Sequence, residues 1–187
     1  MRSHGVRTVI DLRWAAEVEA QPSVFANGLV YRNVPVDNDR RLALLDHVTK
    51  GTLAEQLAML ARPESGIGEA IDAIAAAEPA VVIHCQAGRD RTGIVVALLL
   101  SAIGVVDEDV ADDYRASDDA LAGEYDRLAK DDASAAAAVT DAIERRRGVM
   151  APVLRAVRQG YGDAERYLIA AGGSPRSIAH LRTMLVA

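Results

Sequence analysis

The chain has 187 residues, half of them hydrophobic but only 4% aromatic, so alanine, valine and leucine must build its core. A formal net charge of -6 excludes general nucleic-acid binding, because an acidic surface and a phosphate backbone repel. One cysteine excludes an internal disulfide framework and suits a reducing cytoplasm, the expected location. No signal-peptide pattern stands at the start. The longest apolar run, Ile94 to Val106, contains Ser101 and Gly104 and is too short to span a bilayer. The length suits one domain over residues 1–187.

In chain order, Val6 to Asp11 reads as a first strand. Asp11 and Arg13 sit at its carboxyl end, where open α/β sheets place their sites. These two side chains either brace a site loop or simply pair with each other. Trp14 to Ala20 reads as a short helix stopped by Pro22. Leu29 to Val36 reads as a second strand that delivers Asp37, Asn38 and Asp39 into a loop. Residues 42–62 read as helix, since Leu42, Leu45, Val48, Leu53, Leu57 and Leu60 recur at helical spacing, with Gly51 as a break. His47 there reads as a surface or capping residue. Ile71, Ile74 and Ala75 mark another helix, ended by Pro79. It would be the crossover that brings a third strand in parallel to the second.

After the third strand and its helix, Asp107-Glu108-Asp109 put acids in the first turn of a new helix. Val110 and Tyr114 face inward on it, and the acidic run to Asp119 reads as a solvated face. Residues 120–171 read helical, with breaks near Gly123, Gly148 and Gly160-Tyr161-Gly162. Arg145-Arg146-Arg147, Arg155 and Arg158 form a basic cluster, either a solvated face or the lining of a site mouth. Ser174 and Pro175 open the last helix, with Ile178, Leu181 and Leu185 as its buried stripe. The expected fold is α/β: a small, largely parallel central sheet flanked by helices, with a helical C-terminal half.

The chemistry concentrates between Ala80-Val81-Val82-Ile83, a short β-branched strand, and Ile94 to Leu100, a buried helix that stops near Gly104. Between them runs His84-Cys85-Gln86-Ala87-Gly88-Arg89-Asp90-Arg91-Thr92-Gly93. The loop ends at a helix N-terminus, where free N–H groups and the helix dipole attract an anion. Gly88 lets the backbone approach that anion. Arg91 adds a planar fork suited to two phosphate oxygens. Positive potential favours Cys85 as thiolate, the nucleophilic form. A thiolate at the base of an anion cup can attack the phosphorus of a bound ester. No GxxxxGK[ST] nucleotide loop occurs.

The pattern HC-x5-R-[ST]-G resembles the signature of the cysteine-dependent tyrosine and dual-specificity phosphatases. HCQAGRDRTG resembles their bacterial tyrosine/serine branch, whose loop usually reads HC-x-AGKDRTG; here Arg89 stands in for the lysine. Gly5 to Arg13 with Glu17, and the tail Tyr167-Leu168, Gly172-Gly173-Ser174 and Leu181-Arg182, also resemble that branch. The resemblance implies a phosphatase-like fold and hydrolysis of phosphate monoesters through a phosphocysteine intermediate, without metal or other cofactor. Phosphotyrosine is the first substrate implied, then phosphoserine or phosphothreonine and phosphoinositides. Cys85 is the implied nucleophile. Gln86, Ala87, Gly88, Arg89, Asp90 and Arg91 are the implied phosphate-binding residues. Thr92 is an implied donor to the departing thiolate, and His84 an implied support for the loop. Relatives carry an acid on a loop before the cysteine strand. Asp37 matches best, Asp39 is second, and Asp90 within the loop is a third candidate. Relatives also carry sequence ahead of the first strand, so the expectation here is a missing edge strand, an edge covered by a homodimer partner, or a truncated start. A non-catalytic phosphoprotein-binding module is the alternative, and turnover of an aryl phosphate separates the two.

Overall fold

The structure, a computed structural model, describes residues 2–25, 28–36, 52–62, 65–131 and 148–186. Three strands, β1 (Thr8–Asp11), β2 (Val30–Asn33) and β3 (Val81–His84), form a parallel sheet in the order β2-β1-β3. All four β1 residues are buried, as a central parallel strand requires. Asp11 pairs in register with Asn33 on one side and His84 on the other. The carboxyl ends of the three strands therefore lie side by side. Pairing continues past them: the Leu12 N–H donates to the His84 carbonyl at 2.7 Å, and the Val36 N–H to the Leu12 carbonyl at 3.1 Å. The third strand runs parallel to the second as expected, with β1 between them.

The helices are α1 (Ala15–Ala20), α2 (Leu53–Leu60), α3 (Ile67–Ala75), α4 (Asp90–Ile103), α5 (Asp107–Asp131), α6 (Met150–Tyr161), α7 (Ala164–Ala170) and α8 (Pro175–Val186). Strand alternation sends Ile10 and Leu12 to one face of the sheet, where they join Ile71, Ile94, Leu98, Leu168 and Ile178 in one apolar core. Each such aliphatic side chain contributes about 1.5–3 kcal/mol by leaving water. The other face carries Val9 and Asp11, both fully buried. Helix α4 packs against α3, α5, α6, α7 and α8, so the loop at its N-terminus is fixed by the centre of the molecule. Its far end stops at Gly104, φ 105°, and Arg182 donates to the last-turn carbonyl of Ala102 at 2.6 Å.

Several expectations change. Of the helix expected over 42–62, Leu53–Leu60 is described, capped by Thr52 and Glu55; residues 42–51 lie outside the described residues. Helix α5 runs through Gly123, where a break is expected from the sequence, because a glycine inside a helix costs only about 1 kcal/mol relative to alanine. The acidic run is not wholly solvated, because Asp118 is buried. Leu185 is exposed, since the last turn of α8 passes beyond the core. Arg158 pairs with Asp107 at the start of α5 and Arg155 is exposed; Arg145 to Arg147 lie outside the described residues.

Candidate active site

Cys85 leaves the end of β3 and is 5% exposed, inside the apolar core cluster. Gly88 adopts φ +73°, a left-handed conformation that favours glycine, and reverses the chain into α4. The first intrahelical bond runs from the Gly93 N–H to the Arg89 carbonyl at 2.6 Å, so the N–H groups ahead of it end the helix without an intrahelical acceptor. The strand-turn-helix thus holds a thiol beside an anion-attracting helix end.

Two arginines flank this turn. The Arg91 guanidinium makes two bonds to Glu17 of α1, Nη1 to Oε2 at 2.6 Å and Nη2 to Oε1 at 2.8 Å. It also stacks on Trp14, 5.2 Å from the ring centroid. Trp14 in turn donates through Nε1 to the Val36 carbonyl at 3.1 Å. The Arg89 side chain points the other way and is 1% exposed. It donates to Asp118 on α5 at 2.8 Å, to Asp90 at 3.2 Å and to the Tyr114 hydroxyl at 3.0 Å, and lies over the Tyr114 ring. Burial by itself lowers the Arg89 pKa, but Tyr114, Asp118 and Asp90 more than offset this and raise it. The cation is therefore permanent. The Arg89 side chain is thus enclosed against α5 and turned away from solvent.

Beneath the loop lies a second polar layer. Asp11 accepts from Arg13 Nη2 at 2.6 Å and from the Tyr31 hydroxyl at 2.8 Å. Burial raises the Asp11 pKa; the bonds from the Arg13 side chain and N–H and from Tyr31 outweigh it and hold it below the ordinary carboxylate value. His84 Nδ1 lies 2.9 Å from the Cys85 carbonyl, which only accepts, so Nδ1 carries a proton. Its Nε2 is 3.7 Å from Asp11 and has no hydrogen-bond partner among the described residues. Asp11 and Arg13 form the expected strand-end ion pair; Arg13 also donates to the Gln21 carbonyl, and the Gln21 side chain accepts from Gln86 in the loop.

A family model described as "Tyrosine phosphatase family" matches residues 1–187. The chain belongs to the tyrosine phosphatase family. A protein of Nostoc commune named tyrosine-protein phosphatase is 30% identical over 196 residues, 97% of this chain and 66% of that protein. A Mycobacterium tuberculosis protein named triple specificity protein phosphatase PtpB is 35% identical over 127 residues, 60% of this chain and 46% of that protein. The matches span about two thirds of the length of the first relative and under half of the second.

Within this family member, the structure brings together Cys85, Gln86, Ala87, Gly88, Asp90, Arg91 and Thr92 on one turn. The Thr92 hydroxyl is buried without a hydrogen-bond partner among the described residues. Asp90 is 30% exposed, with Oδ1 held by Arg89. Asp37 and Asp39 lie outside the described residues, one and three positions past the buried Val36. Sequence reading missed the role of Tyr114 and Asp118 in seating Arg89. Their spacing of four on one helix face was the available signal. Among the described residues, no group of three His, Cys, Asp or Glu side chains is placed to hold a metal, and no helix is long and apolar enough to cross a membrane.

Proposed function

We propose that this chain hydrolyses phosphate monoesters, phosphotyrosine in proteins first among them, through a phosphocysteine intermediate and without a metal ion. Cys85 Sγ attacks phosphorus; a P–S bond forms as the ester P–O bond breaks, and the leaving oxygen takes a proton from an aspartic acid. Asp37 is the reading for that acid, with Asp39 and Asp90 as the other candidates. The same carboxylate then takes a proton from water, which attacks phosphorus and releases the thiolate with inorganic phosphate. The backbone N–H groups of Gln86 to Arg91 and the Arg91 fork carry the charge on the transferring oxygens. Thr92 donates to the departing sulfur, which suits its buried hydroxyl, unpartnered among the described residues.

The observation that carries this reading is the placement of Cys85 at a strand end against the N-terminus of α4, with Arg91 in that helix's first turn. Cys85→Ser is expected to abolish turnover of p-nitrophenyl phosphate while inorganic phosphate still binds. Residual activity above about a thousandth of wild type would reject the thiolate route. EDTA is expected to leave the rate unchanged; a loss that zinc or magnesium reverses would reject the metal-free reading.

A further inference from the structure

Helix α5 carries a feature that the chemistry described above does not use. Asp112, Arg115, Ala116 and Asp119 recur three or four positions apart and so share one face of the helix; with Asp118 they line an open depression of about 420 Å³. Asp112 and Asp119 are exposed, and Arg115 is held by an exposed pair to Asp112. Asp118 differs. Its side chain is 6% exposed, Oδ1 is bonded to Arg89, and Oδ2 is buried with no hydrogen-bond partner among the described residues. A buried carboxylate oxygen without a donor is costly, so the wall of the depression holds an acceptor that calls for one. Charge points the same way. Four carboxylates, Asp90, Asp112, Asp118 and Asp119, stand against two guanidiniums, Arg89 and Arg115, and Arg89 is enclosed. The α5 side therefore presents negative potential beside the anion-binding loop. Among the described residues no three His, Cys, Asp or Glu side chains are placed to hold a metal, so the charge suits an ammonium or guanidinium group.

We propose that this depression is a subsite for a lysine or arginine side chain of the substrate, so that the chain selects phosphotyrosine with a basic residue close by in sequence. The inference deepens the phosphotyrosine reading above and rests on it. Asp118 is bonded to Arg89, which stands four positions after Cys85, so the depression adjoins the loop. An extended peptide advances about 3.3 Å per residue, and a lysine or arginine side chain adds reach of its own. A cation a few residues from the phosphotyrosine therefore meets the α5 side while the phosphate is in the loop. It gains Asp112 and Asp119 at the rim and Asp118 Oδ2 in the wall. A second phosphate meets the opposite. The Arg89 guanidinium is turned onto α5 and enclosed there, and the carboxylates around it repel an anion. The same surface thus disfavours a polyphosphorylated inositol headgroup.

The test uses phosphotyrosine peptides of one core sequence, with arginine or glutamate placed singly at each position within about four residues of the phosphotyrosine on either side. Arginine is expected to exceed glutamate by about fivefold or more in kcat/KM at one or more positions, through KM, and the ratio should shrink in high salt. Asp112→Asn combined with Asp119→Asn removes two exposed carboxylates without touching the core. This double variant is expected to bring the ratio to within about twofold, each rate being normalised to that on p-nitrophenyl phosphate, which has no flanking residue. Asp113→Asn removes an exposed acid of α5 outside the depression and is expected to keep the wild-type ratio. A ratio within about twofold at every position in the wild type, or an equal loss in Asp113→Asn and in the double variant, overturns the inference. So does faster turnover of a soluble phosphatidylinositol bisphosphate than of the best arginine peptide. Wild-type protein that turns over neither p-nitrophenyl phosphate nor any peptide overturns the functional reading itself; turnover of both without a preference for arginine overturns this inference alone.

Discussion

Arg89 and Arg91 stand two positions apart at the start of α4, and each meets a carboxylate on a different helix. Arg89 is sealed against Asp118 of α5, with side chains 1% and 6% exposed. Arg91 pairs with Glu17 of α1, with 14% and 25% exposed. Residue type, loop and pairing are alike, yet the two environments give the charges different work. A cation enclosed with its counterion and a tyrosine holds elements together. A cation at a partly wetted edge can exchange its partner for a substrate oxygen. On the proposed reading, the flank of the loop facing α5 is scaffold and the flank facing α1 is the working side.

The strongest way to break this contrast is Arg91→Ala. Loss of one transition-state donor is expected to cost about 10²–10³-fold or more in kcat/KM. Stability should change by about 1.5–3 kcal/mol, the range for hydrogen bonds to a charged group, because the pair is only partly exposed. Steady-state kinetics beside thermal melts measure both; a collapse of the melting temperature would make Arg91 scaffold too. Arg89→Met is expected to show the reverse, losing about 3–5 kcal/mol because Asp118 is left as a buried lone charge. For a chain of this size that is roughly 10 °C in the melting temperature. Turnover by the fraction still folded should fall far less than in Arg91→Ala. Adding Asp118→Leu should recover more than half of the lost stability, since both charges are then gone. A double variant no better than the single would mean that Arg89 acts through Tyr114 and not through Asp118.

The working side was legible in the sequence because its residues are consecutive. Cys85 to Thr92 lie on one strand-turn-helix, whose periodicity and glycine mark it without any tertiary information. The scaffold side was not legible, because Arg89, Tyr114 and Asp118 meet only when α5 folds against α4. Asp118 stands in an acidic run that reads as solvated, and one-dimensional charge patterning cannot tell which acid turns inward. The sheet was legible in direction but not in order: three apolar segments read as parallel strands, while the central place of β1 is set by tertiary pairing. Leu185 fits the stripe of α8 by period and misses it because the helix outruns the core.

A smaller test concerns the third arginine-carboxylate pair, Asp11 with Arg13, which lies beneath the loop and shares its acid with Tyr31. The Asp11 pKa is lowered in the folded state. Its contribution to stability is therefore present above the unfolded value near 4 and is lost as pH falls through the lower folded value. Tyr31 is pushed up to about 12, by burial first and then by its bond to Asp11. Its contribution is complete below the unfolded value near 10 and is lost as pH rises from there to about 12. Tyr31→Phe should cost about 1.5–3 kcal/mol at neutral pH, the loss of one hydrogen bond to a charged acceptor. It should also flatten the alkaline limb and move the acid limb to higher pH, because Asp11 loses one of the bonds that hold its proton off. Chemical denaturation at a series of pH values reads all three. An unchanged alkaline limb would mean that the Tyr31 hydroxyl does not rest on Asp11. The buried acid would then depend on Arg13 for its charge, and the pair would be expected to act as Arg89 and Asp118 are expected to, as scaffold sensitive to the loss of either partner.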